Sequence, residues 1–351
     1  MNVRIFLGGL KNLSCLLDGS SVLVTGATGS FGNAFVRRVL RTTKVARLIV
    51  YSRDELKQYE MRERLSQEGL FDEERLRFFI GDVRDGDRLA RALVGVKVVI
   101  HAAALKQVLA AEYNPIECIK TNVLGAENLV SAAIDQGVER VIALSSDKAA
   151  NPINLYGATK LCSDKLFVAA NHLAGFKPTR FSVVRYGNVI GSRGSVVTLF
   201  RRLAELGQPI PITDPRMTRF WLTVEQGVDF VLNCLPRMTG GEIFVPKLPS
   251  MRVVEMARVI APSAPHELVG IRPGEKLHEI MIPRDDGPNC LEFDDFYVIK
   301  PAFSWWERRQ VENGTAGLGQ AVSKDFQYSS DQNDQWLDEA AFEAMLASVA
   351  V

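Results

Sequence analysis

The sequence predicts an α/β protein with a Rossmann-type, doubly wound parallel sheet and a smaller C-terminal α/β lobe. Three observations lead to this prediction. Short apolar runs alternate with longer, helix-like stretches from residue 21 to residue 186. The first apolar run ends in a glycine-rich turn, and the fifth ends in a polar segment that leads into a helix. With 351 residues, of which 47% are hydrophobic, the chain can bury the large core that this fold requires.

Composition and charge exclude several classes of protein. The 42 basic and 41 acidic side chains give a formal net charge of +1, so no global field favours nucleic acid or a membrane surface as a partner. No segment approaches the run of about 18 apolar residues that a membrane span needs. The five cysteines form no CxxC pair and the four histidines form no HxxxH pair, so neither a disulfide framework nor a metal site is expected. These features indicate a soluble, cytoplasmic protein.

The first strand, residues 21–25, is followed at once by a GxxGxxG turn over residues 26–32 and then by an amphipathic helix. Glycines permit a tight turn and the close approach of a pyrophosphate, while the helix N-terminus offers free N–H groups and a positive dipole end. A glycine triplet alone is weak evidence, but between a strand and a helix it predicts a dinucleotide site. The residues expected to bind the dinucleotide here are Gly26, Thr28, Gly29, Ser30, Phe31 and Gly32.

The second strand, residues 46–51, ends in Ser52, Arg53 and Asp54. In a dinucleotide fold this turn faces the adenosine ribose, where an acidic residue favours a free 2′-hydroxyl and an arginine favours a 2′-phosphate. Ser52 and Arg53, supported by Lys57, therefore predict NADP as the cofactor. The alternative is that Arg53 is a solvated loop residue.

The third and fourth strands, residues 76–80 and 97–104, can complete the cofactor site at their ends. Asp82, with Val83 beside it, follows the third strand and can accept a hydrogen bond from the adenine amino group; alternatively, it only caps the next helix. Small side chains in the last part of the fourth strand would let the cofactor pass close to the backbone. These residues are Ala102, Ala103 and Ala104.

The fifth strand, residues 140–144, leads into a polar segment in which Tyr156 and Lys160 are four residues apart. On a helix these two side chains share one face. An ammonium beside a phenol lowers the pKa of the tyrosine, which makes Tyr156 a usable proton acceptor. The alternative is an exposed helix that merely carries both residues, but the nucleotide-binding turn upstream favours the functional interpretation.

After the sixth strand, residues 180–186, the alternation of strands and helices decays. The tail is expected to be polar and irregular, with Trp305 and Trp306 packing it against the rest of the protein. The predicted regions are a lead-in (1–20), an NADP-binding Rossmann domain with the catalytic motif (21–186), a nucleotide-sugar-binding lobe (187–300) and a C-terminal tail (301–351).

Two motifs resemble the extended short-chain dehydrogenase/reductase superfamily, namely TGxxGxxG at residues 25–32 and YxxxK at residues 156–160. Longer segments, spread over roughly residues 20–300, resemble the inverting UDP-N-acetylglucosamine 4,6-dehydratases. These segments are YSRDELKQ (51–58), GDVRD (81–85), HAAALKQV (101–108), SSDKAANPINLYGATK (145–160), RYGNVIGSRGSV (185–196), PRMTRFW (215–221) and RPGEKLHE (272–279). One departure is Ser146, where the family usually carries threonine; the hydroxyl is kept.

The resemblance implies a reaction that returns the cofactor to its starting state. Tyr156, supported by Lys160, would take the proton of the 4-hydroxyl while NADP⁺ receives hydride from carbon 4. Lys148 would then remove the proton at carbon 5, and Asp147 would protonate the departing 6-hydroxyl. Independently of the family, a carboxylic acid beside an amine is a plausible acid–base pair for elimination, although a salt-linked turn is the alternative.

The resemblance also implies where the substrate binds. Arg219 and Arg272, with Glu275 near them, lie in segments assigned to the UDP group, since the arginine fork suits a diphosphate. Lys106 faces either the substrate or the solvent. The remaining residues expected at the substrate are Asn188, Val189 and Arg193.

Three functions remain open at this point. The first is an inverting 4,6-dehydratase that supplies surface-glycan pathways of the pseudaminic-acid type. The second is a 4-epimerase or a 5-retaining dehydratase on the same scaffold, and the third is a non-catalytic NADP-binding regulator. The resemblance also implies a homo-oligomer, either a dimer or a hexamer.

Overall fold

The computed structural model describes residues 16–192, 195–302 and 319–349. Arg193, Trp305, Trp306 and most of the N-terminal lead-in lie outside the described residues.

Within this part of the chain, the strands vary from two to seven residues in length. They are β1 Ser21–Thr25, β2 Arg47–Ser52, β3 Leu76–Ile80, β4 Val98–His101, β5 Arg140–Ser146, β6 Arg180–Tyr186, β7 Asn188–Ile190, β8 Ile210–Ile212, β9 Thr218–Thr223, β10 Ile243–Pro246, β11 Ser250–Arg252, β12 His266–Leu268, β13 Ile280–Ile282, β14 Cys290–Glu292, β15 Phe296–Ile299, β16 Gln320–Ala321 and β17 Tyr328–Ser329.

The helices connect these strands and cover the sheet. They are α1 Ser30–Thr42, α2 Glu55–Gln67, α3 Gly86–Ala92, α4 Val108–Tyr113, α5 Pro115–Ile119, α6 Gly125–Gln136, α7 Leu155–Leu173, α8 Val196–Glu205, α9 Val224–Cys234, α10 Val253–Ile260 and α11 Glu339–Ser348. Shorter turns of 3₁₀ helix span Asp147–Ala149 and Arg284–Asn289, and a π-helical turn spans Lys120–Leu124. Among the residues described, no helix has both the length and the apolar character needed to cross a bilayer.

The central sheet has ten strands in the order β16-β14-β15-β10-β6-β5-β4-β1-β2-β3. The seven strands from β10 to β3 are parallel, whereas β15, β14 and β16 extend the sheet in antiparallel fashion. The strand order reverses between β1 and β4. Connections leaving these two strands run in opposite directions, which opens a crevice at their carboxyl ends. The predicted Rossmann-type fold is therefore confirmed.

The central strands are buried because helices cover both faces of the sheet. All five residues of β1 are buried, as are the five central residues of β5. Helix α1 packs against α9, while α6 packs against both α3 and α7. Right-handed crossovers place helices on opposite faces when the strand order advances in opposite directions. Because both faces of the sheet are covered, the apolar runs of these strands are continuous and do not alternate with polar residues.

A smaller core forms around Trp221, whose neighbours include Phe200, Met251 and Phe342. A three-stranded sheet, β11-β9-β7, and strand β8 of the pair β12-β8 contribute residues to this core. The smaller C-terminal α/β lobe is thus present. Strands β10, β14 and β15 return to the central sheet, however, so residues after 187 contribute to both cores. The division of the chain at residue 187 stays a prediction.

The C-terminal tail differs from the irregular segment that the sequence analysis expected. It contributes β16 to the central sheet and β17 to a pair with β13, and it ends in helix α11. Asp338 caps this helix by accepting a hydrogen bond from the Ala341 N–H. Phe342 on α11 is fully buried beside Trp221, at a ring separation of 5.9 Å. The apolar face of α11 therefore makes it part of the smaller core.

Two glycines let the backbone approach closely where β1 passes into α1. Gly26 has φ of +63°, and a Cβ added there would lie 2.8 Å from the backbone carbonyl of Ala102. A Cβ on Gly32 would lie 2.4 Å from the Cα and carbonyl oxygen of Ala27. Real Cβ atoms are not found at such distances, so α1 can pack against the turn only with glycine at these positions.

We predict that Gly32→Ala destabilises the fold, because the new methyl group meets rigid backbone rather than a mobile side chain. The expected loss is about 1–3 kcal/mol in the free energy of unfolding, measured by chemical denaturation. The matched control is Gly227→Ala in α9, where the added Cβ would meet only a Leu222 methyl group at 3.5 Å. That substitution should stabilise the protein by up to about 1 kcal/mol through helix propensity. Equal effects at both positions would contradict the packing argument.

Candidate active site

A cleft of about 620 Å³ opens at the carboxyl ends of the parallel strands. Its walls combine the turns after β1, β2, β3 and β4 with the segments that follow β5 and β6. The structure brings together all the residues predicted to bind the cofactor. They are Gly26, Thr28, Gly29, Ser30, Phe31, Gly32, Ser52, Arg53, Asp82, Val83, Ala102, Ala103, Ala104, Tyr156 and Lys160. Their individual roles stay predictions.

The N-terminus of α1 lies at the wall of this cleft. Gly29 is the residue before the helix, and no acidic side chain occupies its first turn. The positive end of the helix dipole is therefore not neutralised from within the helix. Such an end is suited to a phosphate group.

The turn after β2 presents cationic side chains to the cleft. The Asp54 carboxylate caps α2 by accepting from the Lys57 N–H at 3.0 Å, and it also accepts from the Lys57 Nζ at 2.6 Å. Arg53 is more weakly engaged, because its Nη1 lies 3.8 Å from Asp82 Oδ2 and its side chain is 59% exposed. The one carboxylate of this turn is thus already occupied, whereas the guanidinium remains accessible.

Asp82 lies at the tip of β3 and is held by Arg84. The Arg84 Nη2 donates to Asp82 Oδ2 at 2.8 Å, and the Arg84 N–H donates to Oδ1 at 3.0 Å. Burial tends to raise the pKa of Asp82, but the hydrogen bonds from Arg84 outweigh it, and the pKa is lowered. The cap of α3 is Asp85 and not Asp82, so the capping role considered for Asp82 belongs to its neighbour.

Strand β5 delivers the charged groups of the candidate catalytic centre. Lys148 Nζ lies 2.8 Å from Asp147 Oδ2 and 2.8 Å from Asn188 Oδ1. It also lies 3.2 Å from Glu279 Oε1. The Ser146 hydroxyl caps the 3₁₀ turn by accepting from the Lys148 N–H, and it donates to Asp147 Oδ1 at 3.1 Å.

Burial and mutual charge shift the pKa values of Asp147, Lys148 and Glu279 in different directions. Burial raises the pKa of Asp147, and the nearby Glu279 carboxylate adds to this effect. Burial alone would lower the pKa of Lys148, but Asp147 and Glu279 outweigh it and raise the pKa. Burial would raise the pKa of Glu279, yet Lys148 and Arg219 lower it below its usual range. The cluster therefore contains two buried carboxyl groups whose pKa values are shifted in opposite directions.

The electrostatics of Tyr156 differ from the expectation drawn from the sequence. Burial raises the pKa of Tyr156, and the groups that oppose this are the Ser146 hydroxyl and the Lys148 ammonium. Lys160 does not supply the expected lowering of the tyrosine pKa. Its Nζ instead donates to the Leu144 carbonyl at 2.6 Å, and burial lowers the pKa of Lys160 itself. The expectation was wrong because four-residue spacing places two side chains on one face without fixing where the ammonium points.

The structure separates the residues predicted at the substrate. Lys106, Asn188 and Val189 line the cleft, and burial lowers the pKa of Lys106. Arg219, Arg272 and Glu275 are not among its lining residues in the described part of the chain.

Arg219 is buried and already engaged by the protein. Its guanidinium donates to the carbonyl oxygens of Thr218, Lys276 and Leu277. Arg272, in contrast, is exposed, and its backbone N–H approaches Glu275 Oε2 at 3.4 Å. Arg219 thus shapes the segment before β13, and a role for Arg272 at the UDP group stays a prediction.

Sequence reasoning assigned no role to Glu279 or to a second buried charge pair beneath the cleft. Arg185 Nη2 lies 3.1 Å from Asp164 Oδ2, which also accepts from the Ser145 hydroxyl at 2.8 Å. The other guanidinium nitrogen, Arg185 Nη1, donates to the Met281 carbonyl at 2.9 Å. Glu279 lies in the segment RPGEKLHE, so its motif was visible, but its contact with Lys148 was not. No cluster of three or more potential metal ligands occurs in the described residues.

Comparisons with known proteins agree with this geometry. Residues 22–301 match the family model described as "Polysaccharide biosynthesis protein". A UDP-N-acetylglucosamine 4,6-dehydratase (inverting) from Campylobacter jejuni is 53% identical over 327 residues, which cover 92% of this chain and 96% of that protein. A UDP-glucose 4-epimerase from Rickettsia canadensis is 39% identical, with 80% of this chain and 82% of that protein covered.

Solved structures share the fold. Pen from Bacillus thuringiensis is 31% identical and has a TM-score of 0.83, with 95% of this chain and 99% of that chain covered. DesIV, a dTDP-glucose 4,6-dehydratase from Streptomyces venezuelae, is 25% identical with a TM-score of 0.65 and coverage of 73% and 86%. The resemblance drawn from the motifs is confirmed by the matches over most of the chain. The chain therefore belongs to the family of polysaccharide biosynthesis proteins.

Proposed function

We propose that this protein is an NADP-dependent UDP-N-acetylglucosamine 4,6-dehydratase that inverts carbon 5. The observation that carries the proposal is the Asp147–Lys148 pair, joined at 2.8 Å, whose Lys148 lines the same cleft as Tyr156 while Asp147 is buried behind it. The Campylobacter relative, named for this reaction, supports the same substrate and outcome.

The residues of the cleft fit a dinucleotide. The turn between β1 and α1 carries no side chain at Gly26 or Gly32, where the backbone packs closely, and the N-terminus of α1 offers a site for the pyrophosphate. Arg53 would bind a 2′-phosphate, since Asp54 is occupied by Lys57 and does not compete for the ribose. When bound, the cofactor would supply an acceptor for the hydride of carbon 4 and, once reduced, a hydride donor for carbon 6. DesIV was solved with NAD, which supports a nicotinamide cofactor in this fold.

The Asp147–Lys148 pair can supply an acid and a base together. Transfer of one proton across the 2.8 Å contact converts the ion pair into a neutral amine and a carboxylic acid. The amine of Lys148 then takes the proton at carbon 5, and Asp147 gives its proton to the departing 6-hydroxyl, which leaves as water. The pair thereby returns to its charged form. The hydride added at carbon 6 is matched by a proton added to carbon 5 on the face opposite to Lys148, which gives the inversion. In the preceding oxidation Tyr156 takes the 4-hydroxyl proton as its phenolate, the form that the Ser146 hydroxyl and the Lys148 ammonium favour.

A 4-epimerase is the second candidate, since a relative named for that activity is 39% identical. An epimerase needs the oxidation at carbon 4 but no acid for a 6-hydroxyl. The buried acid–base pair is therefore better explained by dehydration. We further propose that the protein acts in the cytoplasm as a homo-oligomer and supplies surface-glycan synthesis of the pseudaminic-acid type, which the polysaccharide biosynthesis family supports.

The cofactor assignment is tested by Arg53→Ala. The loss of the guanidinium should weaken binding of NADP much more than binding of NAD, because NADP carries the 2′-phosphate that Arg53 would bind and NAD does not. Dissociation constants for both cofactors provide the measurement. Arg62→Ala is a suitable control, because Arg62 lies on α2 with its guanidinium near Glu73 and away from the cleft. Equal losses of affinity for NADP and NAD would contradict the assignment.

The reaction steps are separated by Tyr156→Phe and Lys148→Ala. The first variant should form no reduced cofactor in a single turnover. The second should oxidise carbon 4 and then stall, with little deuterium entering carbon 5 during a proton NMR time course in deuterated water. Loss of a well-placed acid or base costs about 10²–10⁴-fold in rate, so both blocks should be measurable.

Two further variants sharpen this test. Asp147→Asn should keep the exchange at carbon 5 but eliminate water slowly, because the 6-hydroxyl is a poor leaving group without its acid. Lys165→Ala, an exposed lysine on α7, should behave as the wild type. If Lys148→Ala formed the 4-keto-6-deoxy product at nearly the normal rate, the base would have to be another group.

A further inference from the structure

Two carboxylates flank the amino group of Lys148, and the proposed reaction uses only one of them as an acid. Asp147 Oδ2 lies 2.8 Å from Lys148 Nζ, and Glu279 Oε1 lies 3.2 Å from it. Both carboxylate side chains are almost fully buried, with exposures of 1% and 3%. Each is therefore poorly hydrated, and its charge depends on the protein groups around it.

The surroundings of the two carboxylates differ in charge. Glu279 faces three cations, because Arg219 Nε lies 3.5 Å and Lys276 Nζ 4.0 Å from its oxygens, in addition to Lys148. Asp147 contacts the same lysine and the neutral hydroxyl of Ser146, while Arg219 and Lys276 form salt bridges with Glu279 and act on Asp147 only at longer range. Several cations around a buried carboxylate favour its charged form. Glu279 is thus the stable anion of the two.

The backbone of Glu279 is also fixed. Its N–H donates to the Ser330 hydroxyl at 2.9 Å, and its carbonyl accepts from the Ser330 N–H at 2.8 Å. Glu279 directly precedes β13, and the Met281 carbonyl in that strand accepts from the buried Arg185. The carboxylate therefore reaches Lys148 from an anchored segment rather than from a free loop.

We propose that Glu279 is a positioning residue for Lys148. It remains an anion throughout the reaction, holds the amino group between Asp147 and Asn188, and stabilises the ammonium that forms when Lys148 takes the proton at carbon 5. Asp147, and not Glu279, is then the carboxyl that exchanges its proton. The arrangement follows the logic by which a buried carboxylate orients a catalytic histidine and stabilises its cation. The inference rests on the proposed dehydration.

The first test needs no substrate. Glu279→Gln keeps the shape of the side chain and removes its charge. In the cofactor-bound protein, the Lys148 ammonium can be titrated by NMR with ¹⁵N-labelled lysine and assigned with Lys148→Arg. Its pKa should fall by about one unit or more when the anion is removed, although Asp147, Arg219, Lys276 and Tyr156 remain around it. An unchanged pKa would overturn the proposal.

The second test separates positioning from general support of the fold. In Glu279→Gln, reduced cofactor should still form at nearly the normal rate in a single turnover, whereas deuterium exchange at carbon 5 should fall by about 100-fold. Glu279→Asp restores the charge and should recover part of the exchange. Ser330→Ala is the control, because it loosens the same backbone without touching the charge, and it should leave the ratio of the two rates unchanged.

Distinct outcomes overturn the inference and the proposed function. If Glu279→Gln slows oxidation and exchange equally, the residue is only structural. If the glutamine variant does not fold, Glu279→Asp decides, because its shorter side chain should slow exchange while sparing oxidation. If the wild-type protein does not dehydrate UDP-N-acetylglucosamine, the proposed function fails, and the titration of Lys148 still decides whether Glu279 controls its charge.

Discussion

The parallel alignment of seven strands is the constraint on which the rest of the structure depends. In such a sheet all carboxyl ends face one edge, so segments far apart in the chain converge there. The glycine-rich turn after β1, the cationic turn after β2 and Lys148 after β5 meet in one cleft for this reason. Reversal of the strand order between β1 and β4 then provides the gap that an extended dinucleotide needs.

Charge compensation is the second constraint, because buried charged side chains lie beneath the cleft. Asp164 and Arg185 neutralise each other at 3.1 Å, and the cluster around Lys148 and Glu279 joins β5 to the segment before β13. A buried ion left without its partner is strongly destabilising, so each group restricts the position of the others. The catalytic centre is therefore held by electrostatics as much as by apolar packing.

The sequence was most informative where one local pattern determines the outcome. Continuous apolar runs bounded by glycine predicted the Rossmann strands, and the dinucleotide turn followed from its position between a strand and a helix. The tail helix α11 was missed although Asp338 before an alanine-rich segment is a recognisable start signal. The burial of Arg219 and the contact of Glu279 with Lys148 could not be predicted, because both depend on segments that are distant in the chain. The roles of the predicted site residues remain predictions.

The anchoring of Glu279 by Ser330 has a consequence for how the protein matures. These residues are 51 positions apart, and β17, which pairs with β13, lies next to Ser330 near the end of the chain. Non-local contacts of this kind form late, after the loops between them have closed. During synthesis the Rossmann units can assemble first, since their strands and helices are contiguous in the chain. The acid–base centre around Lys148 is therefore completed only after residues 328–330 have been synthesised and have paired with β13, which is later than the assembly of the nucleotide-binding units.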